Sequence, residues 1–285
     1  MGKIKKQKYT CLEDYPKHIQ KEAFEILNEG KHVTYLKKTI SQLHEGDEKA
    51  IELILLSIGS LFLDNGTPIH QQIKGGIGSG KTNLLQNTLK IVPERYIHEI
   101  NNITPEYLYY KHNSLNKDYN IFILDNINPT EATISMLNVL LDNETQNKIF
   151  IESKGFELEL PGKNLFFCIF NEENNIKIKT PIFLNYVTED LDHKNNVNHD
   201  VKISHVLGWD INNTKVQHSY LVANTIFEKL IEKPIKVLNY WDIPFENEVL
   251  YNIKNYHNAI LLTELTKALT FYHQKNREHN TIHKK

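Results

Sequence analysis

The fold of this chain is decided by the stretch Gly75-Gly76-Ile77-Gly78-Ser79-Gly80-Lys81-Thr82. This stretch matches every fixed position of the G-x-x-x-x-G-K-[ST] pattern of phosphate-binding loops. The pattern requires glycines because a triphosphate is wrapped by backbone N–H groups, which approach closely only where no Cβ atom intervenes. Lys81 is expected to reach the outer phosphates, and the hydroxyl of Thr82 is expected to hold Mg²⁺. Residues 75–82 therefore predict a binding site for ATP and Mg²⁺.

The segments on either side of this loop agree with it. The run from Ile69 to Ile73 has the length and composition of a short strand, and after Thr82 apolar residues follow at helical spacing, at Leu84, Leu85, Leu89 and Val92. A strand, a loop and a helix in this order are the context that the motif requires, because the positive end of the helix dipole then faces the phosphates. The sequence therefore predicts an α/β fold in which a parallel β-sheet is flanked by helices.

A second metal ligand is predicted at the end of another strand. The segment Asn120–Asp125 has four consecutive β-favouring apolar residues and ends in an aspartate, as expected of a buried parallel strand. Asp125 is expected to hold Mg²⁺ opposite Thr82.

The residue that follows Asp125 departs from the pattern of efficient ATPases. In most motor ATPases a glutamate stands there and activates the attacking water, whereas this chain has Asn126. An amide can position a water molecule but cannot take its proton, and the loss of a general base typically costs about 10²–10⁴-fold in rate. Glu131, one helical turn into the next segment, is the alternative base, and the sequence leaves this choice open.

A hairpin and a further strand are predicted next. Residues 148–160 alternate as two strands around Lys154-Gly155, which is typical of a hairpin. Lys154 at the tip is a candidate contact for a DNA phosphate backbone, although a solvated turn lysine is the alternative. The apolar strand Leu165–Phe170 then ends at Asn171. If its neighbour is the strand of Asp125, we expect Asn171 to lie beside Asp125 and to orient the hydrolytic water, the role called sensor 1.

The rest of the chain is predicted to be mainly helical. We expect an N-terminal helical arm over residues 1–46, an ATPase core over 47–190 that includes a fifth strand at Pro181–Val187, and a C-terminal helical lid over 191–285. Asp47 is a candidate N-cap. Periodicity predicts the helices Pro16–Asn28, His32–His44, Asp47–Leu63, Thr130–Asn143, Val216–Glu232 and Asn258–Lys275.

Composition restricts the location and the partners. The longest apolar segment, from Ile51 to Leu63, is interrupted by polar residues, and the N-terminus has no apolar stretch, so neither a membrane span nor a signal peptide is expected. Two cysteines, Cys11 and Cys168, cannot form a disulfide framework, and a cytoplasmic location is expected. A net charge of -2 provides no global attraction to nucleic acid, so any contact with DNA must be local.

Five predicted features follow one another along the chain: the phosphate-binding loop, the Asp-terminated strand, the hairpin, the Asn-terminated strand and the helical lid. This order resembles that of an AAA+ P-loop ATPase. The similarity is to the branch that has a hairpin before sensor 1, which includes minichromosome-maintenance helicases and MoxR-type ATPases. A closer resemblance, over residues 50–278, is to the helicase-like ATPase modules of phage and plasmid primase-helicases. Outside the loop it is carried by the segments Ala50–Ser57, Ile103–Tyr110 and Ala268–Glu278.

This resemblance implies an ATPase that forms a homo-oligomeric ring or partial ring and acts on DNA, as a helicase or translocase, in replication of a mobile element or virus. Two departures imply slow hydrolysis: Asn126 itself, and the lack of an arginine near Pro181–Leu184, where such families contact the phosphate of a neighbouring subunit. The alternative is an adaptor or switch that hydrolyses ATP poorly and acts through protein partners. A small-molecule kinase is disfavoured because phosphoryl-transfer lids supply arginines, and the chain has only Arg95 and Arg277.

Overall fold

The computed structural model describes residues 9, 11–44, 46–76, 78–100, 103–125, 131–142, 148–151, 155–171, 183–187, 214–232 and 256–273. Seven strands occur in these residues. They are β1 (His70–Gly75), β2 (Ile97–Ile100), β3 (Tyr119–Leu124), β4 (Lys148–Ile151), β5 (Phe156–Glu159), β6 (Lys163–Asn171) and β7 (Phe183–Val187). Five of them form a parallel sheet in the order β2-β3-β6-β1-β7, whereas β4 and β5 form a separate antiparallel hairpin. The predicted α/β fold and the predicted hairpin are confirmed.

Eight α-helices occur in the same ranges. They are α1 (Lys17–Asn28), α2 (His32–Ile40), α3 (Glu48–Leu61), α4 (Lys81–Leu89), α5 (Pro105–Lys111), α6 (Glu131–Leu140), α7 (Thr214–Ile231) and α8 (Tyr256–His273). Every helix expected from periodicity is present, with ends that differ by about one turn or less. No helix in the described part of the chain combines the length and the apolar character needed to cross a membrane.

Different elements cover the two faces of the sheet, because successive side chains along a strand point to opposite faces. On the first face, a core shared with α1, α2, α3, α4, α7 and α8 receives Ile121, Ile123, Leu165, Phe167 and Ile169. On the second face, a core shared with α5, α6 and the hairpin receives Phe122, Leu124, Phe166, Cys168 and Phe170. The sheet is therefore buried on both faces, which explains the continuous apolar runs of β3 and β6.

The helices from the two ends of the chain pack together on the first face. Glu22 of α1 accepts a hydrogen bond from His218 of α7 at 2.7 Å, and the ring Nε2 of His32 in α2 donates to the carbonyl of Tyr272 in α8. These helices therefore share one core with α4, the helix that follows the phosphate-binding loop. The division of the chain at residues 46 and 190 stays a prediction.

Side chains at the amino edge of the sheet hold the helices in place. Lys163, the first residue of β6, donates hydrogen bonds to the carbonyls of Leu63, Asp64 and Gly66, which follow α3. Arg95, just before β2, pairs with Glu228 of α7. Before α3, Asp47 occupies the N-cap position as predicted, but its carboxylate binds His44 Nε2 at 2.9 Å and caps no helical N–H group.

Candidate functional site

The candidate site lies at the carboxyl edge of the sheet, where β1 ends at Gly75 and the phosphate-binding loop begins. Within the loop, Gly78 and Gly80 have φ angles of 77° and 88°, in the left-handed region. No heavy atom lies within 4 Å of a Cβ built on either residue, so it is the backbone conformation and not crowding that requires glycine there. Ile77 lies outside the described residues.

Lys81 places a positive charge inside this loop. It is the first residue of α4 and is only 6% exposed. Its Nζ donates hydrogen bonds to the carbonyls of Gly75 and Gly76, both at 2.7 Å, and lies 3.3 Å from the hydroxyl of Ser79. The loop is thus curved around the ammonium group, and the same atom is available to phosphate oxygens that take the place of these acceptors.

Thr82 and Asp125 come together although 43 residues separate them. The Thr82 hydroxyl donates to Asp125 Oδ2 at 3.1 Å, so the start of α4 reaches over the intervening strand β6 to the end of β3. A hydroxyl and a carboxylate are oxygen ligands of the kind that Mg²⁺ prefers. Among the described residues, no group of three or more His, Cys, Asp or Glu side chains forms a metal site. The oxygen atoms of Thr82 and Asp125 fit the ligand preference of a Mg²⁺ ion, whose other ligands would come from phosphates and water.

Strand β6 separates the phosphate-binding loop from Asp125. It pairs with β3 as far as Leu124 opposite Cys168, and with β1 as far as Gly75 opposite Asn171. The neighbour relation that we expected between the strands of Asp125 and Asn171 is thus present, but the backbone of Asn171 extends beyond the level of Asp125 and lies directly beside Gly75. Burial raises the pKa of the Cys168 thiol, so β6 supplies no thiolate to the site.

Two predicted site residues, Asn126 and Lys154, lie outside the described residues. The hairpin that carries Lys154 has β4 and β5 in antiparallel register, and Gly155 next to the tip has a φ of 69°. The alternative base Glu131 is the first residue of α6 and is exposed. The apolar side chains of α6 pack on the second face, whereas Thr82 begins a helix of the first face.

No sequence motif pointed to one acidic residue near this edge, Glu99. It lies in the edge strand β2, next to β3, and its side chain is exposed. The signal was present but weak: a single glutamate in a four-residue strand has no motif around it. Only the pairing of β2 with β3 shows how close Glu99 lies to the end of the Asp125 strand.

Comparison with known proteins agrees with this geometry. A family model described as the MTBMA_p00010 P-loop domain matches residues 17–233. A protein of Methanothermobacter marburgensis (strain Marburg), with the name Uncharacterized protein MTBMA_p00010, is 33% identical to this chain over 278 residues. The alignment covers 93% of this chain and 34% of that protein, so the chain spans about a third of the length of this curated relative.

Proposed function

Because the chain belongs to the MTBMA_p00010 P-loop domain family, we propose that it is an ATPase that binds ATP and Mg²⁺ through residues 75–82 and Asp125. The observation that carries the proposal is the 3.1 Å hydrogen bond from the Thr82 hydroxyl to the Asp125 carboxylate. A threonine that follows the loop lysine, together with a strand-terminal aspartate, is the pair that holds Mg²⁺ in P-loop NTPases.

The residues of the loop have separate tasks in this proposal. The backbone N–H groups of the loop and the start of α4 surround the phosphates with positive dipole ends. Lys81 exchanges the carbonyls of Gly75 and Gly76 for phosphate oxygens, an exchange that favours the nucleotide because the ammonium then faces negatively charged acceptors instead of neutral ones. Mg²⁺, held by Thr82 and Asp125, would neutralise charge on the transferring phosphoryl group.

The proposal extends to an AAA+-type motor that assembles as a ring or partial ring and acts on DNA in replication of a mobile element or virus. Two features support this extension. The hairpin lies between β3 and β6 in the chain, as in the family that the sequence resembles, and β6 lies between β1 and β3 in the sheet. In such a motor Asn171 orients the attacking water, Lys154 contacts the DNA backbone, and the helices after residue 190 act as the lid.

A second candidate function is a nucleotide-dependent adaptor or switch that acts through protein partners. Asn126 favours it, because an amide next to Asp125 cannot take a proton from water. The two functions differ in turnover. A motor should show steady-state ATP hydrolysis that rises with single-stranded or double-stranded DNA, whereas a switch should bind ATP with slow hydrolysis that DNA leaves unchanged.

Titration calorimetry with MgATP tests the nucleotide site. Lys81→Ala should weaken binding by at least 10-fold, since it removes charged hydrogen bonds worth about 1.5–3 kcal/mol each. Lys117→Ala, a change at an exposed lysine at the amino edge of the sheet, is the matched control and should bind as the wild type does. Circular dichroism should show that both variants are folded. Equal affinities in Lys81→Ala and the wild type would refute the site.

The DNA contact is tested separately. If Lys154 contacts a phosphate, Lys154→Ala should weaken DNA binding and reduce the slope of log K against log salt concentration by about one unit. Lys148→Ala, at the other end of the hairpin, is the comparison. An unchanged slope in Lys154→Ala would leave Lys154 as a solvated turn residue.

A further inference from the structure

We propose that the carboxylate of Glu99, in the edge strand β2, is the general base for ATP hydrolysis. This inference rests on the ATPase function proposed above. Hydrolysis requires a group that accepts a proton from the attacking water. The amide of Asn126, which follows Asp125, cannot do this. For hydrolysis, the base would then belong to another element at the carboxyl edge of the sheet.

Strand register places Glu99 on the same face of the sheet as Asp125. Glu99 lies opposite Ile123, and Ile100 lies opposite Leu124. Ile123 belongs to the core of the first face, whereas Ile100 and Leu124 belong to the core of the second face. Because successive residues alternate between faces, Glu99 shares the first face with Ile123 and with Asp125, two residues further along. This is the face on which α4 begins and on which Thr82 meets Asp125.

Sheet geometry also limits the distance between the two acidic residues. Neighbouring strands are about 4.8 Å apart and each residue advances about 3.3 Å, so Cα atoms that differ by one strand and two residues are separated by about 8 Å. Glu99 and Asp125 stand in this relation. A glutamate side chain directed toward the strand ends can then act on a water molecule near the Thr82–Asp125 pair, either directly or through one further water.

The carboxylate of Glu99 is also accessible to a water molecule. Its side chain is exposed, and within the described part of the chain it forms no ion pair. Glu131, the competing carboxylate, begins a helix that packs on the second face. An exposed glutamate on an edge strand also serves to prevent pairing with another chain. That role would affect aggregation and would leave the rate of ATP cleavage unchanged, so the two roles are separable.

The chemical step is a single displacement. The oxygen of a water molecule forms a bond to the γ-phosphorus of ATP while one of its protons moves to the Glu99 carboxylate. The bond between the γ-phosphorus and the oxygen that bridges to the β-phosphorus breaks, and its electron pair stays on ADP. The products are ADP and inorganic phosphate, and Glu99 then returns its proton to bulk water.

Single-turnover ATP cleavage with the full chain tests the proposal, alongside calorimetric measurement of MgATP affinity. Glu99→Gln should lower the cleavage rate by about 10²–10⁴-fold with its affinity for MgATP unchanged. Glu94→Gln, three residues before the same strand, is the matched control and should cleave at the wild-type rate. Sodium formate should restore part of the rate to Glu99→Ala, because a small carboxylate replaces a missing base but does not repair a structural defect.

The remaining outcomes separate this proposal from the one on which it rests. Cleavage at the wild-type rate by Glu99→Gln, or a collapse of the rate in Glu131→Gln alone, overturns the assignment of Glu99 and leaves the nucleotide site intact. Wild-type protein that binds MgATP without cleaving it also overturns the assignment, and favours the switch function. Wild-type protein that does not bind MgATP refutes the nucleotide site itself.

Discussion

Replacement of Arg95 by methionine should destabilise the fold strongly without affecting the nucleotide site. The guanidinium donates to both carboxylate oxygens of Glu228 and, at 2.7 Å, to the hydroxyl of Tyr96. The Glu228 side chain is only 5% exposed, so Arg95→Met leaves a buried carboxylate without its cation. Removal of one partner of a buried pair costs about 3–5 kcal/mol. Arg95→Lys keeps the charge but loses the two-pronged contact, and should cost about 1.5–3 kcal/mol.

Urea denaturation followed by far-UV circular dichroism measures these free energies of unfolding. Arg95→Met combined with Glu228→Leu should be much closer to the wild type than Arg95→Met alone, because an apolar pair of similar volume replaces a buried ion pair at little cost. MgATP affinity should stay within about threefold of wild type in all folded variants, since Arg95 precedes β2 at the edge opposite Gly75. A loss below 1 kcal/mol in Arg95→Met, or a double variant as unstable as the sum of the single changes, would contradict this reasoning.

Three further predictions concern stability. Burial lowers the pKa of His32 below the usual 6.5, so His32 binds a proton more readily in the unfolded chain than in the folded one. The free energy of unfolding should therefore fall as the pH drops below about 6.5. In urea titrations, His32→Gln should lose less of this free energy between pH 7 and pH 5 than the wild type does. Lys163→Met should lower the free energy of unfolding by about 1–3 kcal/mol, since three carbonyls lose their donor. Lys148→Met, at an exposed site, is the control and should change this free energy by less than about 0.5 kcal/mol. Gly162→Ala should lower the melting temperature more than Gly155→Ala. Both glycines have a positive φ, but only a Cβ at Gly162 meets a backbone oxygen, Asp118 O, at 2.4 Å. Equal melting temperatures of the two variants would show that the loop around Gly162 shifts to accommodate the Cβ.

Features that depend on contiguous residues were predictable. The phosphate-binding loop is a single stretch whose glycines, lysine and threonine act next to one another, and the strand that ends at Asp125 is marked by its own apolar run. Helix positions followed from periodicity, because one apolar face is repeated along each segment. The capping role of Asp47 was wrong, because the ring of His44, three residues earlier, binds the Asp47 carboxylate.

Sequence alone therefore established that this chain carries a nucleotide-binding loop on a parallel sheet, because eight adjacent residues supply the groups that bind phosphate. The tertiary structure decided which distant residues meet. Strand order inserted β6 between Gly75 and Asp125, and the register of β2 against β3 put Glu99 on the face of Thr82. Packing of α7 paired Arg95 with Glu228 across 133 positions. Such contacts depend on register and on burial of both sheet faces, which arise only when all the elements pack at once, so no local pattern encodes them.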